Sequence, residues 1–179
     1  MSFIICITII VFLTAGIIYF GNKIKGYNHF KHTISELGET GSTFEKQVSL
    51  GLFLPTGILL AIVALLEKEN INVMGLSAAV AIGYIVAAFF PCDPGSPSSG
   101  SWKQQLHNAG GFIEYAGCIY FIMKAGGQDL HLWIVSFKTI GYIVIGCIII
   151  TSFPKNSIRG LAQRIAELLI FGCLLWQLF

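Results

Sequence analysis

NVMGLSAAVAIGYIVAAFF, residues Asn72–Phe90, carries no charge and runs straight into Pro91. At 1.5 Å per residue an α-helix of this length spans about 28 Å, close to the thickness of a bilayer's hydrocarbon core. Five more segments satisfy the same test or nearly so, giving expected spans at 2–20, 44–66, 72–90, 107–125, 133–153 and 160–179. The first lacks a basic leader and is too long for a signal-peptide core, so it counts as a span. The composition agrees. Of the 179 residues 55% are hydrophobic and 11% charged, against about 25% charged in an ordinary soluble domain. Mean hydropathy is +0.76. The expected fold is therefore all-α: one transmembrane domain over residues 1–179, a six-helix bundle. A nucleic-acid module, a disordered chain and a disulfide-stapled domain are excluded. A net charge of +2 implies no polyanionic partner. The five cysteines form no CxxC pair, and four lie in apolar runs, where Cys acts as a small hydrophobe.

An even number of spans puts both termini on one side. The opposite side then holds the loops 21–43, 91–106 and 154–159. Lys23, Lys25, Lys31, Lys46, Lys103, Lys155, Arg159 and Arg164 lie there, against Lys68, Lys124 and Lys138 on the terminal side. The positive-inside rule makes the loop-rich side cytoplasmic and both termini external, in a plasma or inner membrane. Trp102, Trp133 and Trp176 fall near span ends, where interfacial aromatics belong.

Within loop 21–43, Tyr27, Phe30, Ile34 and Leu37 recur at helical spacing, predicting a short interfacial helix over 27–38 that stops at Gly38. Ser42-x-x-Glu45 predicts a capping box for the second helix, and Pro55 a kink within it. Gly75, Ala79, Gly83 and Ala87 form a small-residue face for packing inside the bundle, or for a second copy or a partner subunit.

Polar groups inside a bilayer are costly, roughly 2.5–3.5 kcal/mol for a mid-span charge, and those that persist face a cavity or each other. Three groups stand out. Asp93 sits in the rigid turn Pro91-Cys92-Asp93-Pro94, as a turn cap or as a functional carboxylate. His107 and Glu114 share a face of the fourth helix with Gly110 and Gly117. Glu114, deep in the span, needs a cation, a metal or a proton. Arg159, Gln163, Arg164 and Glu167 open the sixth helix. Arg164 is the expected counter-ion of Glu114 or Asp93 and can pair with Glu167, while Arg159 and Lys155 serve topology. Counting spans alone brings Asp93, His107, Arg164, His29, His32 and Ser35 to one end of the bundle, with lone His131 at the other.

The order and placement of Asn28…Thr33-Ile34-Ser35-Glu36-Leu37-Gly38, Phe90-Pro91-Cys92-Asp93, His107 and Gly160-Leu161-Ala162-Gln163-Arg164 resemble the six-span membrane family called domain of unknown function 998. That resemblance covers nearly the whole chain and implies an architecture without a reaction. A fainter similarity runs to the alkaline ceramidase and progestin-receptor-like hydrolases, which hold zinc with histidines around a Ser and an Asp. The chain departs from them in span number and in lacking paired histidines in its final helix. Pro97-Ser98-Ser99-Gly100 with His107 is similar to the phosphate loop of phosphatidic-acid-phosphatase-like enzymes, but the basic first motif is missing.

Two functions follow as expectations. In the first, a metal-assisted lipid hydrolase or lipid-modifying enzyme, His29, His32, Asp93 and His107 hold a zinc-like divalent ion. Asp93 or Glu114 relays a proton, and Ser35 or Arg164 steadies the oxyanion or a headgroup. In the second, the chain binds lipid without turnover or is an accessory subunit of a larger membrane complex. A proton path through Glu114 lacks the internal repeat of a transporter, and haem would need histidines inside helices rather than at their ends.

Overall fold

The computed structural model describes residues 1–127 and 136–179. Every regular element among them is helical. The helices are α1 (Ser2–Lys23), α2 (Glu45–Leu66), α3 (Ile71–Phe89), α4 (Trp102–Lys124), α5 (Phe137–Thr151) and α6 (Arg159–Leu178). Four of them, α1, α2, α3 and α6, are long and apolar enough to cross a membrane. The helix α4 is 23 residues long but carries Gln104, His107, Asn108 and Glu114; α5 is apolar but has 15 residues. His131 and Trp133 lie outside the described residues.

Large apolar side chains point outward from the bundle: Val11 and Ile18 from α1, Leu65 from α2, Phe112 from α4, Tyr142 from α5 and Leu168 from α6. Such a surface has lipid as its solvent. Inside, α3 packs against α2, α4 and α6. Its small-residue face is used within the chain. Gly75 lies under the Phe121 ring, Ala79 meets Gly117, and Gly83 lies against Glu114. On α2, Gly57 meets the α3 backbone at Ile85. Small residues let these backbones approach closely, which is what holds helices together where lipid removes the hydrophobic drive.

Two local expectations are corrected, the helix over 27–38 and the capping box, and Pro55 has a local structure of its own. Residues 27–38 are not one helix. The Asn28 side chain accepts the N–H groups of Phe30 and Lys31, forming a turn, and only Ser35–Gly38 coils, as a 3₁₀ turn. Ile34 and Leu37 are buried while Phe30 is exposed, so the apolar stripe is not a single face. Gly38 keeps an ordinary backbone conformation, and its lack of a side chain makes room for Val48 and Ser49. The capping box is displaced: Glu45 reaches back to the Gly41 N–H at 2.7 Å, while Ser42 Oγ receives the Phe44 N–H at 3.4 Å. At Pro55 the helix responds by widening. Residues Ser49–Phe53 form a π-turn in which the Leu54 N–H bonds the Ser49 carbonyl, just ahead of the residue that has no N–H to give.

The α3 helix stops at Phe89 because Pro91 disfavours a helical conformation at Phe90. The chain then turns through Gly95 and Ser96, both in the left-handed region. Ser96 is the only described non-glycine residue there, a conformation with a real steric cost. Its carbonyl accepts from Arg159.

Candidate functional site

Segment 27–44 folds across one end of the bundle as a cap, and α6 holds it down. Arg164 does most of this. Its Nη1 donates to the carbonyls of His29 (2.8 Å) and His32 (2.9 Å), and its Nη2 to Tyr27 Oη (2.6 Å) and His29 Nδ1 (3.0 Å). Gln163 Oε1 accepts the Ile34 N–H at 2.7 Å, and the Leu161 N–H donates to the Phe30 carbonyl. Gly160 lets the cap backbone lie directly on the helix, since a Cβ there would strike the His32 carbonyl. The α3–α4 loop joins in: the Thr40 N–H bonds the Cys92 carbonyl, and the Gly95 N–H bonds Glu39. Cys92 is fully buried, its thiol pushed up to about 12 by that burial, so it packs rather than reacts.

Beneath the cap lies a cavity of about 420 Å³ between α3, α4, α5 and the start of α6. Its polar lining includes Ser35, His107, Glu114, Arg159 and Gln163; Phe112, Ile119 and Ile148 are among its apolar residues. Four lining residues are also exposed: Ser98 in the α3–α4 loop, and Phe112 and Ala116 on α4 with Ser152 at the end of α5, the last three flanking the gap between α4 and α5. The cavity therefore opens sideways between α4 and α5. His107 Nδ1 is 3.0 Å from the Phe90 carbonyl, which fixes the ring at the cavity wall. Arg159 spans the rim: Nη1 donates to the Gly95 carbonyl at 2.9 Å, Nη2 to the Ser96 carbonyl at 3.1 Å, and Nη1 lies 3.9 Å from Glu36. Thr33 closes this corner by donating its N–H and hydroxyl to Glu36.

Glu114 lines the cavity, and behind it, across a second, much smaller space, it meets the carboxyl of Glu167. Glu167 accepts from Tyr115 Oη at 2.8 Å and Tyr84 Oη at 3.2 Å, and Gln163 Nε2 donates on to Tyr115. Glu114 faces Glu167, and its Oε1 is buried without a hydrogen-bond partner. Glycine at position 83 makes the space, because a Cβ there would coincide with the Glu114 carboxylate. Among the described residues neither carboxylate has a cationic partner; the ion pair present is Arg159–Glu36.

The sequence-derived candidates thus divide. Ser35, His107 and Glu114 share the cavity. Asp93 does not line it: Ser101 donates to both its oxygens at 2.7 Å, which holds the carboxyl below its ordinary value and makes it the tie of the α3–α4 loop. Arg164 faces the cap and pairs with neither Glu114, Asp93 nor Glu167. His29 Nδ1 is taken by Arg164, and His32 Nδ1 accepts the Asn28 N–H. Among the described residues, no three His, Cys, Asp or Glu side chains come together as a metal-ligand group, so His29, His32, Asp93 and His107 are not gathered. Arg159, expected to serve topology alone, is a buried part of the cavity wall. The missed signal was spacing: Arg159, Gln163 and Glu167 follow one another at four-residue steps, one stripe of a helix.

The cap carries a pH dependence. A guanidinium only donates, so His29 Nδ1 must be the unprotonated acceptor. Burial first, and the Arg164 charge second, hold His29 below its ordinary value of 6.5. Protonation is easier in the released cap than in the docked one, so its contribution is complete above about pH 6.5 and is lost as pH falls through the lowered value. Hydrogen exchange of the 28–38 amides, corrected for intrinsic rate, should be slow at pH 7.5 and faster at pH 5. Equal protection at both would refute the coupling.

The motif segments named in the sequence, 28–38, 90–93, His107 and 160–164, meet at this one end of the bundle. A family model described as "Protein of unknown function (DUF998)" matches residues 6–178. No curated protein and no solved structure matches the chain. A match over nearly the full length, on the residues that build the cap and the cavity rim, places the chain in the DUF998 family.

Proposed function

We propose that the chain is a six-span membrane protein that binds a lipid or similar amphiphile, its polar head under the cap and its tail leaving between α4 and α5. The observation that carries this is the sideways opening. A closed polar cavity would suit a soluble ligand or buried water, whereas one whose lining includes outward-facing Phe112 and Ala116 gives an acyl chain a route to the bilayer. Polar groups concentrated at one end and apolar walls beyond them match an amphiphile's two halves. The loop-rich end, with the cap and its lysines, faces the cytoplasm in this reading.

Ala116→Trp tests it. The indole should plug the gap between α4 and α5, where position 116 has room because it is exposed. Lipid retained through purification in mild detergent, counted per chain by native mass spectrometry, should fall about tenfold, equivalent to about 1.4 kcal/mol. Thermal stability should hardly change, as for other surface substitutions. Undiminished lipid in the variant would remove the portal from the reading.

A hydrolytic role draws on one further observation, that His107, Ser35 and Glu114 line the same cavity. Turnover of a bound lipid ester by the purified chain would make it the better reading.

A further inference from the structure

We propose that Glu114, with the carboxyl of Glu167 behind it, receives a primary ammonium group, carried by an amine-bearing lipid head or by a free amine. This rests on the amphiphile reading for its lipid form alone.

Two unfinished polar groups frame the cavity. Glu114 is 7% exposed and its Oε1 has no partner. Arg159 is 5% exposed and its Nε has no partner. Both residues line the same space, one at the inner end and one at the rim. A buried oxygen acceptor left unpaired is costly, about 1–3 kcal/mol and more when charged. So is a pair of carboxyls with no cation beside them.

A ligand that completes Glu114 Oε1 must donate hydrogen, and a cationic one also offsets the charge of the carboxyl pair. The neighbouring oxygens are committed: Tyr84 and Tyr115 give their hydroxyl hydrogens to Glu167, and Gln163 Oε1 holds the cap at Ile34. That leaves too few free oxygens for calcium, which takes six to eight. A quaternary ammonium has no N–H and would leave Oε1 unpaired. A primary ammonium has three donors and suits a site with one unpartnered carboxylate oxygen. Beside it on α4, Gly111 lines the cavity with nothing packed where a side chain would stand, so there is room for the group. The opposite pole at Arg159 suits the phosphate of a zwitterionic head.

The decisive experiment uses the wild-type chain in detergent, so it does not depend on a variant folding. Phosphatidylethanolamine, phosphatidylcholine and phosphatidylglycerol with identical acyl chains, and free ethanolamine, are titrated in turn, with occupancy read by native mass spectrometry. The ethanolamine lipid should bind about tenfold more tightly than either of the others, the difference of one charge-assisted hydrogen bond. Glu114→Gln should erase that preference while leaving the weaker binding shared by all three. Equal binding of the three lipids overturns the ammonium site, leaves the amphiphile reading standing, and assigns the charge balance to a proton held between the two carboxyls. Ethanolamine binding with no lipid bound keeps the ammonium site and overturns the amphiphile reading. Binding of neither overturns both.

Discussion

Arg164→Ala should release the cap and cost about 3 kcal/mol or more of stability. The guanidinium is the sole donor among the described contacts to the carbonyl of His29, and it also bonds the His32 carbonyl, Tyr27 Oη and His29 Nδ1. Hydrogen bonds to a charged group are worth about 1.5–3 kcal/mol each, and their half-buried partners Tyr27, His29 and His32 lose that donor when it is removed. The terms share one donor and so do not add in full. Arg164→Lys keeps the charge but lacks the planar fork that reaches a backbone carbonyl and a phenol together, so it should recover less than half of the loss. The readout is thermal unfolding in detergent beside hydrogen exchange at 28–38. Exchange should quicken there in the alanine variant while the amides of α3 keep their protection. An Arg164→Ala chain as stable as the parent would mean that the cap is held by its apolar contacts alone.

The second large effect is expected at Gly83. An alanine Cβ at this site falls on the Glu114 carboxylate and also crowds its Cδ and Cβ, while the Glu114 side chain is enclosed. Overpacking of this kind costs about 1–3 kcal/mol. The carboxyl would be driven away from Glu167, so lipid retention should fall in the same variant. Combining Gly83→Ala with Glu114→Ala separates crowding from any other role of the glycine. If the carboxylate is what collides, the double variant should be less destabilised than the sum of the two single changes. Strict additivity would show that Gly83 acts through helix propensity rather than contact.

The sequence made the helices readable for a plain physical reason. A segment facing lipid satisfies its backbone internally and tolerates few charges, so the runs at 2–20, 44–66 and 72–90 declare themselves. The cap did not. Tyr27, Phe30, Ile34 and Leu37 carry a helical rhythm, but the carbonyls of His29 and His32 and the N–H of Ile34 bond to Arg164 and Gln163, about 130 residues away, and a single sequence contains no trace of that pairing. The candidate site was half readable. Ser35 in the loop and His107 at a span end, with Glu114 deeper in the same helix, are legible as polar groups the membrane does not tolerate without reason, and they share a cavity. Their neighbours were misjudged because charge alone was used to choose partners. Arg164 looked like the answer to Glu114, yet it is turned to the cap, and the group that meets Glu114 is a second carboxyl. The phase of α6 explains this. Arg159, Gln163 and Glu167 advance about 40° at each step and stay on one side, while Arg164 is one residue, or 100°, away.

The clamp on the cap also sets an order of events during biosynthesis. His29 leaves the ribosome 135 residues ahead of Arg164. At roughly 5–20 residues per second that is a wait of about ten seconds. Throughout it the carbonyl of His29 lacks its Arg164 donor and that of His32 has only Tyr27 from its own segment, so the segment waits undocked at the membrane surface. The pocket has no roof until α6 is in place, and a chain stalled or cut before Arg159 would display four long helices and an unroofed, carboxyl-bearing cleft. Quality-control proteases that survey the membrane would meet such a chain with its cap still undocked, whereas in the finished protein Arg164 ties that segment to α6.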